Sequence, residues 1–235
     1  MQPLLDINAL NAFYGDFQAL YDVQLAISAG EVVAIVGANG AGKTTLLRSI
    51  AGLLRNESQS IVFNGKPIGN ARADQIAKLG LALVPEGRQL FPSLSVEENL
   101  KLGATVGRQG AWNLQSVYAL FPVLEERRNV ASTQLSGGQQ QMVAIGRALM
   151  ANPDLIMFDE ISLGLAPVII NSIYAQLPQV INQGTTAIII EQDIGRALAA
   201  ATRVYCLQEG RVRLHGRTDE LSRQQITQAY FGVAA

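Results

Sequence analysis

The chain has 235 residues, 49% hydrophobic and 16% charged, with 18 Lys+Arg against 19 Asp+Glu; that length supports a sizeable core in one domain, with room for an inserted lobe, and excludes small disulfide-stapled folds. One cysteine, Cys206, and one histidine, His215, exclude an intrachain disulfide and a zinc site of the usual His/Cys composition, and would force any Ser-His-Asp chemistry through His215. A formal net charge of −1, with no basic run longer than Arg127-Arg128, leaves no electrostatic footprint for nucleic acid as a partner.

Residues 1–6 lack a basic region, and Asp6 precedes any long apolar run, so no export signal is expected. No later stretch reaches the roughly 20 apolar residues of a membrane span, which predicts a soluble chain in a reducing compartment. Residues 1–30, and 58–70 with their Asn64-Gly65 turn signal, are predicted to form short strands of a small antiparallel β lobe. Residues 31–36 (EVVAIV), 155–158 (LIMF) and 186–190 (TAIII) are apolar at consecutive positions, the pattern of central strands buried on both faces. Over residues 88–151 helical spacing replaces the β signal. There Leu114, Val117, Tyr118 and Phe121 share one face of an amphipathic helix, read as a core face. Short β-branched runs alternating with helical segments predict an α/β fold, a mainly parallel sheet covered by helices on both faces.

The strand ending at Val36 runs into Gly37, Ala38, Asn39, Gly40, Ala41, Gly42, Lys43, Thr44 and Thr45, which satisfies GxxxxGK[ST] at a strand-to-helix junction. Glycines let backbone N–H groups turn toward phosphate oxygens with no Cβ in the way, and the following helix offers the positive end of its dipole. Lys43 is then placed to reach the β- and γ-phosphates, and the Thr44 hydroxyl to ligate Mg²⁺. These features predict a P-loop NTPase core carrying the antiparallel β subdomain and an inserted α-helical subdomain. The second buried strand runs on into Asp159-Glu160, at the C-terminal edge of the sheet, where ligands of open α/β sheets bind. Asp159 is the candidate for the Mg²⁺ shell, and Glu160 the candidate general base toward an attacking water. Taken alone, an apolar run ending in Asp-Glu is also an ordinary strand end; the phosphate loop is what makes it a candidate site.

Leu135-Ser136-Gly137-Gly138-Gln139 precedes a helical run over 140–150. A Ser and two glycines opening a helix turn small side chains and free N–H groups toward an anion, although the same pentapeptide alone would serve as a loop and helix cap. Lying between a phosphate loop and an Asp-Glu strand, LSGGQ resembles the signature of ATP-binding cassette (ABC) ATPases, and the resemblance covers essentially the whole chain. It implies ATP and Mg²⁺ as ligands, ATP hydrolysis, and two sites at a head-to-tail dimer interface. In such a dimer Ser136, Gly137, Gly138 and Gln139 of one subunit close over the ATP held by the phosphate loop of the other. One loop and one signature then make the chain half of a functional unit, paired with a second copy or with a companion ATPase.

The segments 84–88 (VPEGR), 96–100 (VEENL), 144–149 (AIGRAL) and 162–167 (SLGLAP), with Phe91, Glu191-Gln192 and Ala229-Tyr230, resemble the ATPase subunits of branched-chain amino acid importers, the LivF type. That resemblance implies a peripheral place on the cytoplasmic face of the membrane, two membrane permease subunits, and indirectly a periplasmic or extracellular substrate-binding protein. Tyr14 matches the aromatic that stacks on adenine in this family; a strand aromatic packed in its own sheet is the other reading. Glu86 stands where most ABC ATPases have a Gln that senses Mg²⁺ and γ-phosphate, and Gln192 where they have a switch His. A carboxylate still accepts a metal-bound water, and a Gln orients water or bonds a γ-phosphate without positive charge. The LivF type shares both changes. Ile161 replaces the usual Pro after the catalytic Glu and has no reading from sequence, and Ala166 replaces a common Asp. Beside Glu86, the helical lobe is expected to offer an apolar groove to a permease helix. Urea or a short amide stays open as cargo, because ATPases of such systems are closely similar. Glu86 and Gln192 also leave open a nucleotide-binding partner with weak catalysis. A soluble cassette of translation or DNA repair would carry a second cassette or a coiled-coil insert, and neither is present.

Overall fold

The computed structural model describes residues 2–231. Strands β1 (Leu5–Tyr14) and β2 (Phe17–Ile27) form a hairpin of ten and eleven residues, longer than the short strands expected from sequence. Left-handed Ala9 and Asp22, together with shifts in register along the pair, bend this hairpin, so its alternation is broken and its length hard to read locally. Strand β3 (Val32–Val36) leads through the phosphate loop into α1 (Lys43–Ile50). Strands β4 (Ile61–Phe63) and β5 (Lys66–Pro67) flank the Asn64-Gly65 turn and complete a four-stranded antiparallel sheet of order β2-β1-β4-β5.

Helix α2 (Ala73–Leu79) returns the chain to β6 (Leu81–Val84). The helical lobe follows as α3 (Val96–Ala104), α4 (Leu114–Leu120), α5 (Pro122–Glu126) and α6 (Gly137–Leu149). Val117, Tyr118 and Phe121 of the apolar stripe are buried, with Leu114 packed partly against them, so the stripe is a core face. Then come β7 (Leu155–Asp159), α7 (Pro167–Tyr174), α8 (Leu177–Asn182), β8 (Thr186–Ile190) and α9 (Ile194–Ala200). Strands β9 (Arg203–Gln208) and β10 (Arg211–Arg217), with α10 (Arg223–Phe231), end the described chain.

The central six-stranded sheet has the order β10-β9-β3-β8-β7-β6, parallel except for β10. Its three consecutive-apolar strands alternate between the two faces of the sheet, where they join three hydrophobic clusters. Val33 and Ile35, Leu155 and Met157, and Ile188 and Ile190 pack toward α1 and the antiparallel sheet. Ile156 and Phe158, with Ala187 and Ile189, pack toward the helical lobe, while Ala34 and Val36 pack toward α9 and α10. Burying such a side chain fully is worth about 1.5–3 kcal/mol, and the one polar residue within these strands ahead of Asp159, Thr186, is buried with its hydroxyl accepting from Gly30 N at 2.9 Å. The first polar groups past the C-terminal edge of the sheet are those of the site. His215 lies exposed on β10, its ring stacked 5.3 Å from that of Tyr205, and Cys206 is buried, where desolvation pushes its thiol up to about 11. Among the described residues, no helix is long and apolar enough to cross a membrane.

Candidate active site

The phosphate loop is closely packed at its two ends, Gly37 and Gly42, where a side chain has no room. A Cβ on Gly37 would lie 2.3 Å from the Leu207 carbonyl oxygen, and one on Gly42, at φ +103, would lie 2.7 Å from Leu20 Cδ2. The β9–β10 turn clasps the loop, since Gly210 donates its N–H to Ala41 O at 3.0 Å and accepts from Tyr21 N at 2.9 Å. Lys43 is 5% exposed; its Nζ donates to Gly37 O at 2.7 Å and Ala38 O at 3.1 Å, and lies 3.8 Å from Glu160 Oε1. Burial lowers its pKa from the usual lysine value, against the opposing pull of Glu160 and Asp159. The ammonium is thus held at the loop by carbonyls that phosphate oxygens can replace.

Asp159 ends β7 with 5% exposure, and its Oδ1 has no hydrogen-bond partner. Burial, then the neighbouring carboxylates of Glu160 and Glu86, push its pKa up to about 6. A buried carboxylate oxygen left unmet is costly, and a proton or a bound cation would relieve it. Half-buried Thr44 and exposed Glu86 line the adjoining cavity. Among the described residues no three His, Cys, Asp or Glu side chains converge on a metal cage. Magnesium asks for none, because it binds through one or two carboxylates, waters and substrate phosphates.

Glu160 adopts φ +49, a left-handed backbone that costs an ordinary residue about 1–3 kcal/mol, and its N–H donates to Ile190 O at 3.0 Å. The turn brings its carboxylate beside Lys43 on one oxygen and Gln192 on the other, with Gln192 Nε2 donating to Oε2 at 2.7 Å. A cavity of about 960 Å³ opens here, lined by Asn39, Gly40, Gly42, Lys43, Thr44, Thr45, Glu86, Glu160 and Gln192. At its far side Tyr14 and Phe17 face each other across the hairpin end, 41% and 69% exposed. Two aromatic faces left open at a polar cavity suit a flat heterocyclic base. Sequence reading named Tyr14 and missed Phe17, whose signal was its place directly after the Gly15-Asp16 turn, opposite Tyr14.

Ser136 caps α6: its Oγ accepts from Gln139 N at 3.3 Å, while Gln139 Oε1 accepts from Ser136 N at 3.0 Å. Neither these two residues nor Gly137 and Gly138 line the cavity that holds Lys43, so the fold of one chain does not bring the signature to the phosphate loop. Ile161 gains a reading it lacked: it is 2% exposed, packed into the core shared with the helical lobe. Ala166 is the N-cap of α7, where it supplies no side-chain cap. At the mouth of the lobe Phe91 is 52% exposed, with the Arg147 guanidinium 5.9 Å from its ring. A second cavity, of about 760 Å³, lies elsewhere, among residues of α7, α8 and α9.

Residues 20–162 match the family described as ABC transporter. The chain is 40% identical over 232 residues to the high-affinity branched-chain amino acid transport ATP-binding protein BraG of Pseudomonas aeruginosa, covering 97% of this chain and 100% of that one. It is 34% identical to the probable branched-chain amino acid transport ATP-binding protein LivF of Archaeoglobus fulgidus, over 90% of this chain and 91% of that one. Among solved structures, the ADP conformation of the cassette MJ1267 superposes with a TM-score of 0.82 at 27% identity, covering 99% of this chain and 100% of that one. A dimeric post-hydrolysis state of the cassette MJ0796, bound to ADP and Pi, gives 0.81 at 27% identity, covering 91% and 98%. The chain belongs to the ABC transporter family, as an ATP-binding and ATP-hydrolysing subunit.

Proposed function

We propose that this subunit energises an importer of branched-chain or related amino acids from the cytoplasmic face of the membrane, with Mg²⁺-ATP as its substrate. The observation that carries the chemistry is the Glu160 carboxylate, held between Lys43 and Gln192 at the mouth of a cavity walled by the phosphate loop. Glu160 takes the proton of the attacking water as general base, and Gln192 orients that water or the γ-phosphate. Lys43 and the loop N–H groups of Asn39, Gly40 and Gly42 bind the phosphates, and Thr45 stands beside them. Tyr14 and Phe17 take the adenine. Asp159, Thr44 and Glu86 are the residues that would hold Mg²⁺, whose chemistry is to neutralise phosphate charge.

The cargo class is supported by similarity to BraG along nearly the whole chain. The separation of Ser136–Gln139 from the chain's own cavity supports a head-to-tail pair, with a second copy or a companion ATPase, in which each signature closes the other subunit's site. Two permease subunits would dock beside Glu86 and exposed Phe91, and a substrate-binding protein would deliver cargo to them. Replacing Glu160 with Gln tests the core of this reading. Phosphate release by the assembled transporter is expected to fall by about 10²–10⁴-fold while nucleotide affinity is kept. Normal hydrolysis by that variant would remove Glu160 from the mechanism. Uptake of labelled leucine against urea and glutamate, in vesicles holding the assembled complex, reads the cargo.

A further inference from the structure

Glu191 carries a buried carboxylate that hydrolysis, as described above, does not use. It is 1% exposed and stands between Ile190, the last residue of β8, and Gln192. The Tyr174 hydroxyl, at the end of α7, donates to its Oε1 at 2.5 Å. The Ser162 hydroxyl, in the segment just beyond Glu160, donates to its Oε2 at 2.6 Å. Both bonds are in the short range of charge-assisted O–H···O⁻ contacts. Burial and the adjacent Glu191 carboxylate raise the Tyr174 pKa far above the ordinary phenol value, which keeps that hydroxyl a donor.

The position of this cluster gives it a task. The β7–β8 ladder ends at Asp159 opposite Ile190, and the last backbone bond across it is Glu160 N to Ile190 O. Beyond that point, among the described residues, no backbone hydrogen bond joins 161–166 to 191–193. The two segments are tied by side chains alone: Gln192 to Glu160 at the site, and Ser162 to Glu191 behind it. Tyr174 fixes the second tie to α7. Removing either hydroxyl leaves a buried carboxylate oxygen unmet, and relief comes by moving the backbone that carries Gln192.

We propose that Glu191 is a positioning residue: through the hydroxyls of Ser162 and Tyr174 it ties the segment bearing Gln192 to the segment bearing Glu160, and so holds the Gln192 amide against the Glu160 carboxylate during ATP hydrolysis. The proposal rests on reading Glu160 and Gln192 as the hydrolytic pair.

A double-mutant cycle in the assembled transporter tests it, with turnover, nucleotide affinity and melting temperature measured together. Tyr174→Phe and Ser162→Ala are each expected to lower kcat about five- to tenfold, with KM for ATP held within about twofold. In a Gln192→Ala background the same changes are expected to alter kcat by less than about twofold, because the group they position is gone. Glu191→Gln, which accepts from one hydroxyl and donates to the other, should keep more turnover than Glu191→Ala. Equal losses in both backgrounds would mean a general packing role and overturn the proposal, as would an unchanged kcat in both hydroxyl variants. A wild-type kcat from Gln192→Ala alone would overturn the catalytic reading of Gln192 and this proposal with it. If Glu191→Ala fails to fold, the Ser162 and Tyr174 cycles still decide the matter.

Discussion

Asn99 in the helical lobe and Asp159 at the edge of the central sheet are both buried, and their polar atoms meet opposite fates. Asn99 is 0% exposed; its Nδ2 donates to the carbonyls of Phe91, Leu94 and Ser95, and its Oδ1 accepts from Phe91 N at 2.9 Å. Asp159 is 5% exposed, has an unpartnered Oδ1, and sits beside Glu160 and Glu86, which raise its pKa further. The lobe uses a buried amide to lock the turn from Phe91 to Ser95. The sheet edge keeps a buried carboxylate short of partners, and in the function proposed above a cation arriving with the nucleotide would complete it. A buried polar group is therefore structural when its neighbours complete it and functional when a ligand must.

The contrast is broken most severely by Asn99→Leu. It keeps the volume but leaves the Phe91 N–H without its acceptor and takes one donor from each of three carbonyls, four hydrogen bonds in all, so a loss of about 4 kcal/mol in unfolding free energy is expected by denaturant titration, with or without nucleotide. Asp159→Asn should act in the opposite sense. A native pKa raised from 3.8 to about 6 means that the folded state holds its proton more tightly than the unfolded chain. The stability linked to that proton is complete below about pH 4 and is lost as pH rises through about 6. Without metal, Asp159→Asn should therefore match the wild type near pH 4 and exceed it by about 3 kcal/mol above pH 6. With Mg²⁺-ATP the order should reverse, since the wild type gains a bound cation and the variant does not. Melting curves across pH 4–8, with and without Mg²⁺-ATP, read both signs; a variant no more stable than the wild type at pH 7 without metal would show that Asp159 is already satisfied.

How much of this was legible in the sequence follows from the range of the interactions. The phosphate loop, the Asp159-Glu160 strand end and the three doubly buried strands were readable because their signals lie within a few consecutive residues. The parallel order of the sheet followed from the alternation of strands and helices. The Glu191 cluster was invisible, because Ser162 and Tyr174 come to it from 29 and 17 residues away and no local pattern marks them. Phe17 was missed for a different reason: its place opposite Tyr14 emerges only once the two strands are paired across the Gly15-Asp16 turn. Ile161 could not be read without knowing that the chain turns into the core at that point.

Ser136 gives the smallest and most selective test, because it belongs to both sides of the contrast. Within one chain it behaves like Asn99: its hydroxyl and the Gln139 amide oxygen satisfy two backbone N–H groups at the start of α6. Yet Ser136 itself is exposed and stands away from its own chain's cavity, so its free face is available to a partner's nucleotide. Ser136→Ala should lower stability by about 1 kcal/mol through the lost cap. A role confined to capping would leave turnover unchanged at temperatures well below the melting point. Closure over a second subunit's ATP requires more: nucleotide affinity of the isolated chain should stay within about twofold, while turnover of the assembled transporter drops by about tenfold or more, the size of one lost charge-assisted hydrogen bond. Mixing variant and wild-type subunits sharpens the reading further, since the defect should follow the site across the interface from the substitution and spare the site on the substituted chain.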